Sequence, residues 1–190
     1  MTATPSRSVT LVRHPSTPAS AVRRIDVELV TIADGSLRLR YFLDGDVDAI
    51  LVPPPATAGR ADGLWKHTCF EAFIAGEDSR AYCEFNFSPS AQWAVYGFTG
   101  YREGMAPIDY SIDPVVTASV TDDRIALEAR VPFEALLALP GESSLRLGLA
   151  AVIEETDGRC SYWALAHAAE RPDFHDPDGL VLTIDRSGAW

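Results

Sequence analysis

The chain has 190 residues, 47% of them hydrophobic and 23% charged, a balance that supports one packed globular domain over 1–190 and excludes a disordered chain. With 16 basic against 27 acidic residues the formal charge is −11, and Lys66 is the single lysine. Nucleic acid and anionic membrane surfaces are therefore excluded as expected partners, because phosphate contacts need clustered Lys and Arg. No stretch approaches the roughly 18 uninterrupted apolar residues of a membrane helix. Met1 to Ser8 lacks the cationic and apolar segments of a signal peptide. Cys69, Cys83 and Cys160 have no paired spacing and read as buried free thiols, which points to a reducing, cytoplasmic setting.

Along the chain, the dominant period is two. Residues 22–33 alternate apolar and polar, Asp34-Gly35 offers a tight turn, and 36–43 alternate again, which predicts a hairpin. A short apolar run at 49–52 stops at Pro53-Pro54-Pro55, and 53–63 form a loop. Strands are predicted over 64–75, 82–88 and 92–98, all rich in aromatics. Two more follow at 115–120 and 124–131, separated by Asp122-Asp123. Pro132 opens one short helix over 132–139, which Pro140-Gly141 ends. Strands at 145–155, 160–166 and 179–185 close the chain. About ten short strands without strand–helix alternation predict an all-β fold, an antiparallel β-sandwich of jelly-roll type.

Two strands carry the side chains suited to chemistry. Alternation over 64–75 puts Trp65, His67, Cys69, Glu71 and Phe73 on one face. Over 82–88 it puts Tyr82, Glu84, Asn86 and Ser88 opposite Cys83, Phe85 and Phe87. If the strands pair, Glu71 approaches Glu84 and Asn86. Aromatic rings beside carboxylates and an amide suit a carbohydrate, whose C–H faces stack on rings and whose hydroxyls need donors and acceptors. The same face read without a ligand is a solvated sheet surface with Trp65 filling the core. Glu71 and Glu84 also form a pair suited to glycoside hydrolysis, which depends on a separation the sequence does not contain. Among the histidines, His14 near the chain start is expected to be exposed, and the four are too scattered for a metal site. The run from Asp173 to Asp178 has oxygen donors for calcium but not the spacing of a calcium loop. No G-x-S-x-G elbow, Walker loop, H-E-x-x-H or Gly-rich dinucleotide loop occurs.

The stretch DGLWKHTCFEAFI (62–74) resembles the strand of family 9 carbohydrate-binding modules in which a Trp precedes a Glu, here Trp65 and Glu71. YCEFNFSPSAQWAVYGF (82–98) resembles the next signature of those modules, and WALAHAAERPDFHDPDGLVLTID (163–185) is similar to their closing segment. The chain also looks like the bacterial DOMON-like single-domain proteins. The resemblance implies a sandwich that binds sugar at one end or on a concave face, with two aromatic clamps and a Glu acceptor. Carried over, Trp65 and Phe174 are the clamps and Glu71 the acceptor, with Phe174 standing where the family usually has Trp. Asn86, Trp93, Glu84 and His67 are expected near this site. The expected function is non-catalytic binding of a carbohydrate or sugar-like small molecule, with no metal and no cofactor. The alternatives are a haem or redox DOMON domain, for which Met105 is the one internal methionine, and a glycoside-processing enzyme using Glu71 and Glu84. The sequence leaves the oligomeric state open.

Overall fold

The alternation of apolar and polar residues produces a two-sheet sandwich. The computed structural model describes residues 6–32, 36–109, 113–132 and 144–185. Its strands are β1 (Ser6–Arg13), β2 (Val22–Thr31), β3 (Leu37–Gly45), β4 (Gly59–Arg60), β5 (Cys69–Gly76), β6 (Tyr82–Phe87), β7 (Gln92–Phe98), β8 (Ala106–Pro107), β9 (Val115–Val120), β10 (Arg124–Val131), β11 (Ser144–Glu154), β12 (Cys160–Ala164) and β13 (Leu182–Asp185). The first sheet runs β1-β2-β3-β10-β9. The second runs β4-β7-β6-β5-β11, with β12 and β13 sharing the far side of β11 and β8 beside β7. β1 joins the two sheets, because Val12 and Arg13 pair with β12 while the residues before them pair with β2. Pairing is antiparallel except for the two-residue β4 beside β7. The predicted helix over 132–139 lies, apart from Pro132, outside the described residues, as does the Asp34-Gly35 turn. No described helix is long and apolar enough to cross a membrane.

Side chains facing inward from both sheets form the main core, and their alternation is what the sequence pattern encodes. Val27, Leu29, Leu39 and Tyr41 from the first sheet meet Phe70, Ala72, Ile74, Phe85 and Phe87 from the second. Tyr41 is fully buried, and its hydroxyl donates to the Glu71 carbonyl at 2.9 Å. This bond ties the first sheet to β5 at the residue that matters most below.

Four sequence expectations change. β1 is an additional strand whose signal was the alternation of Val9 and Leu11 with polar residues. The strand predicted from 64 begins at Cys69, because Gly63 takes φ +76° and Leu64–Lys66 close into a 3-10 turn. His14 is not exposed but 1% accessible, held by Ser16 at Nδ1 and by the Ala169 carbonyl at Nε2. Cys69 and Cys83 are buried free thiols, whereas Cys160 is half-buried.

Candidate functional site

The outer face of the second sheet is set by register. Arg146, Ala75, Tyr82 and Phe98 form one cross-strand row. Gly148, Phe73, Glu84 and Tyr96 form the next, and Ala150, Glu71, Asn86 and Ala94 the third. Glu71 and Glu84 are thus diagonal neighbours, at a general backbone spacing of about 7–8 Å. Three segments cover this face: the turn at Leu64–Lys66, the β7–β8 connection at 99–105, and the stretch between β12 and β13 at 165–181. A Cβ on Gly148 would come within 3.2 Å of the Gly179 carbonyl, so glycine lets the last segment lie directly on the sheet.

Between the covering segments lies an open cavity of about 540 Å³, lined among others by Trp65, Glu71, Phe73, Glu84, Phe98, Arg102, Met105, Tyr162, Phe174 and His175. Its size falls in the range of about 300–1,000 Å³ common to small-molecule sites. Trp65 is 45% exposed, so its ring is available at the mouth rather than packed in the core. Glu71, by contrast, is 3% exposed, and its Oε1 is buried without a hydrogen-bond partner. Burial, and then the nearby Glu84, push the Glu71 carboxyl well above the usual carboxylate range. Glu84 is also raised by burial, although Asn86 Nδ2 donates to it at 2.7 Å. A carboxyl with a raised pKa holds its proton more readily, and in that form it both donates and accepts hydrogen bonds.

His175 closes the cavity from the covering segment. Its ring lies edge-on to Phe73 at 5.2 Å and to Phe98 at 5.1 Å. Nδ1 is 2.8 Å from the Tyr82 hydroxyl, which also accepts from the Arg102 amide. Burial, followed by the Arg102 charge, lowers the His175 pKa to about 4. Its Nε2 is 3.7 Å from Glu84, but a neutral ring beside a carboxyl raised by burial is not a charged pair. Asp173 fastens the two loops over this wall: it accepts from Arg102 at 2.8 Å, from the His175 amide at 3.0 Å and from the Tyr101 hydroxyl. Asp176 accepts from the Asp178 amide at 3.0 Å. Asp173 and one oxygen of Asp176 are therefore engaged within the protein. Among the described residues no group of three or more His, Cys, Asp or Glu side chains is placed to hold a metal ion.

The sequence-predicted residues separate clearly. Trp65, Glu71, Glu84 and Phe174 line the one cavity. Asn86 is fully buried and reaches the site only through Glu84. Trp93 is a correction: paired with Phe87, it points with Val95 into the main core, while Ala94, Tyr96 and Phe98 take the outer face. Period two on β7 excludes Trp93 and Phe98 from sharing a face. His67 is a second correction, because it lies outside the cavity lining and its Nδ1 sits 2.7 Å from Glu154 on β11. Sequence reasoning missed Phe98, Arg102, Tyr162 and His175. The Phe98 signal was present in the alternation of β7. Arg102 and His175 come from loops, where no periodicity reports direction.

No protein-family profile and no curated protein sequence matches this chain. Solved structures do match. A protein from Bacteroides uniformis ATCC 8492, described provisionally as carbohydrate-binding, superposes with a TM-score of 0.71 at 15% identity, covering 96% of this chain and 86% of its own. A family 9 carbohydrate-binding module from Caldicellulosiruptor kristjanssonii in complex with cellotriose gives 0.53 at 13% identity, covering 92% and 80%. The same organism's module in complex with glucose gives 0.51 at 13% identity, covering 92% and 82%. At these identities the likeness establishes a shared fold, and that fold is the sandwich of the family 9 modules.

Proposed function

We propose that this chain is a single non-catalytic domain that binds a carbohydrate or sugar-like small molecule in the cavity on the outer face of the second sheet. The observation that carries the reading is the pairing of an exposed Trp65 ring with the buried, unpartnered Glu71 Oε1 in one open cavity. An aromatic platform stacks on the apolar face of a sugar ring. A buried polar atom without a partner normally costs about 1–3 kcal/mol, and a ligand hydroxyl would recover that. Phe98, Phe174 and the two carboxyls add the mixed apolar and polar lining that a polyol needs. The neighbours with this fold that hold cellotriose and glucose support the ligand class.

Isothermal titration calorimetry with glucose, cellotriose and a wider saccharide panel tests this. At least one saccharide binds the wild type, and Trp65→Ala and Glu71→Ala each weaken it tenfold or more. Absence of binding to every saccharide, or binding indifferent to both substitutions, overturns the reading. The haem alternative gains one observation, since Met105 and His175 line the same cavity. Against it, Nε2, the nitrogen left over once Nδ1 is engaged with Tyr82, lies 3.7 Å from the Glu84 carboxyl.

A further inference from the structure

A second hollow of about 220 Å³ lies on the opposite side of the His175 wall, over the row that begins with Arg146. Its lining includes Arg80, Arg146, Ser79, Tyr82, Tyr101 and His175, and contains no carboxylate. In a chain of net charge −11 this is an unusual local surface. Among the described residues neither arginine makes an ion pair. Arg146 has one hydrogen bond, from Nη1 to the Pro177 carbonyl at 3.3 Å, and its Nε is buried with no partner. Asp173, which accepts from the lining Tyr101, is already shared with Arg102, and Glu77 and Asp78 precede Arg80 in its turn. Two arginines lining one concave site without a carboxylate suit an oxyanion, which arginine binds through parallel N–H donors.

We propose that the Arg80–Arg146 hollow is a second recognition site that takes the anionic group of an acidic saccharide, a carboxylate or a sulfate ester. The anion hollow stands on its own geometry, whereas its assignment to a saccharide rests on the sugar reading of the neighbouring cavity. His175 lines both hollows, so a ring held against Trp65 and Glu71 lies on one side of it and its acidic neighbour on the other. Arg146 is fixed on a central strand and sets the position of the anion. Arg80, in the β5–β6 turn, lines the same hollow.

The test uses the full chain at low ionic strength. Affinities are measured for glucose, glucuronate and an oligosaccharide series with and without uronate or sulfate groups, in the wild type, Arg146→Gln, Arg146→Lys and Trp65→Ala. In parallel, inorganic sulfate is titrated while the side-chain Nε–Hε resonances of arginine are followed by NMR. The acidic saccharides bind about tenfold more tightly than their neutral counterparts. Arg146→Gln removes that advantage and leaves neutral binding unchanged, Arg146→Lys keeps only part of it, and salt weakens it. Trp65→Ala weakens neutral and acidic ligands alike. Sulfate shifts the Arg146 resonance of the wild type. If neutral sugars bind but acid groups add nothing and sulfate leaves Arg146 unmoved, the hollow is not an anion site and the sugar reading survives. If sulfate shifts Arg146 but no saccharide of either kind binds, the assignment to saccharides and the sugar reading fall together, and an anion site remains. If acidic saccharides bind more tightly with Arg146→Gln unchanged, the advantage arises elsewhere and the proposal fails.

Discussion

His175 makes the stability of this protein depend on pH in a way that a single substitution isolates. Its side chain is 15% exposed, and burial together with Arg102 holds its pKa at about 4 in the folded protein. In the unfolded chain an imidazole titrates at about 6.5. Below that value the unfolded state takes up a proton that the folded state refuses, so stability is complete above pH of about 6.5 and declines as pH falls toward about 4. The difference of about 2.5 units at about 1.4 kcal/mol per unit amounts to roughly 3.5 kcal/mol over the whole window, and to about 2 kcal/mol by about pH 5. Other groups titrate in the same range, but a comparison with His175→Gln cancels those the two proteins share. Urea midpoints for both, measured at about pH 7.5 and about pH 5, give the result: the wild type loses about 2 kcal/mol more than the variant. Two parallel profiles, within about 0.5 kcal/mol, refute the burial argument, as does an imidazole that titrates at its ordinary value by NMR.

Glu71 acts with the opposite sign. Its folded pKa is raised, so an unfolded chain that ionises above about pH 4.5 gains on the folded state as pH rises, and Glu71→Gln stabilises the protein at neutral pH but not at about pH 4; an equal effect at both values contradicts a protonated Glu71. Trp65→Ala costs less than about 1 kcal/mol in a chemical melt, because its ring is half exposed, whereas Phe70→Ala costs about 3–5 kcal/mol. Similar losses for the two would place Trp65 in the core. Protein expressed with ample haem shows no Soret band, since the remaining His175 nitrogen, Nε2, lies 3.7 Å from the Glu84 carboxyl; a band lost on Met105→Ala would reverse this conclusion.

The all-β class was legible because burial on one face of a strand imposes period two, and that pattern is written in consecutive residues such as Leu37, Leu39 and Tyr41. The same rule placed Glu71 and Glu84 together on one face, and the loop before β5 marked Trp65 as a residue near a strand entrance. Alternation read consistently along β7 would also have put Trp93 inside and Phe98 outside. Strand order, by contrast, was decided only by tertiary structure. Glu71 becomes an unpartnered buried acid because β5 lies between β6 and β11 and the 165–181 segment covers its face. His175 meets Arg102 in one hollow and Arg146 in the other, from a covering segment, a connection and a distant strand, and no local rule relates residues so far apart in sequence. Periodicity tells which side of a strand a residue faces; long-range packing decides what faces it.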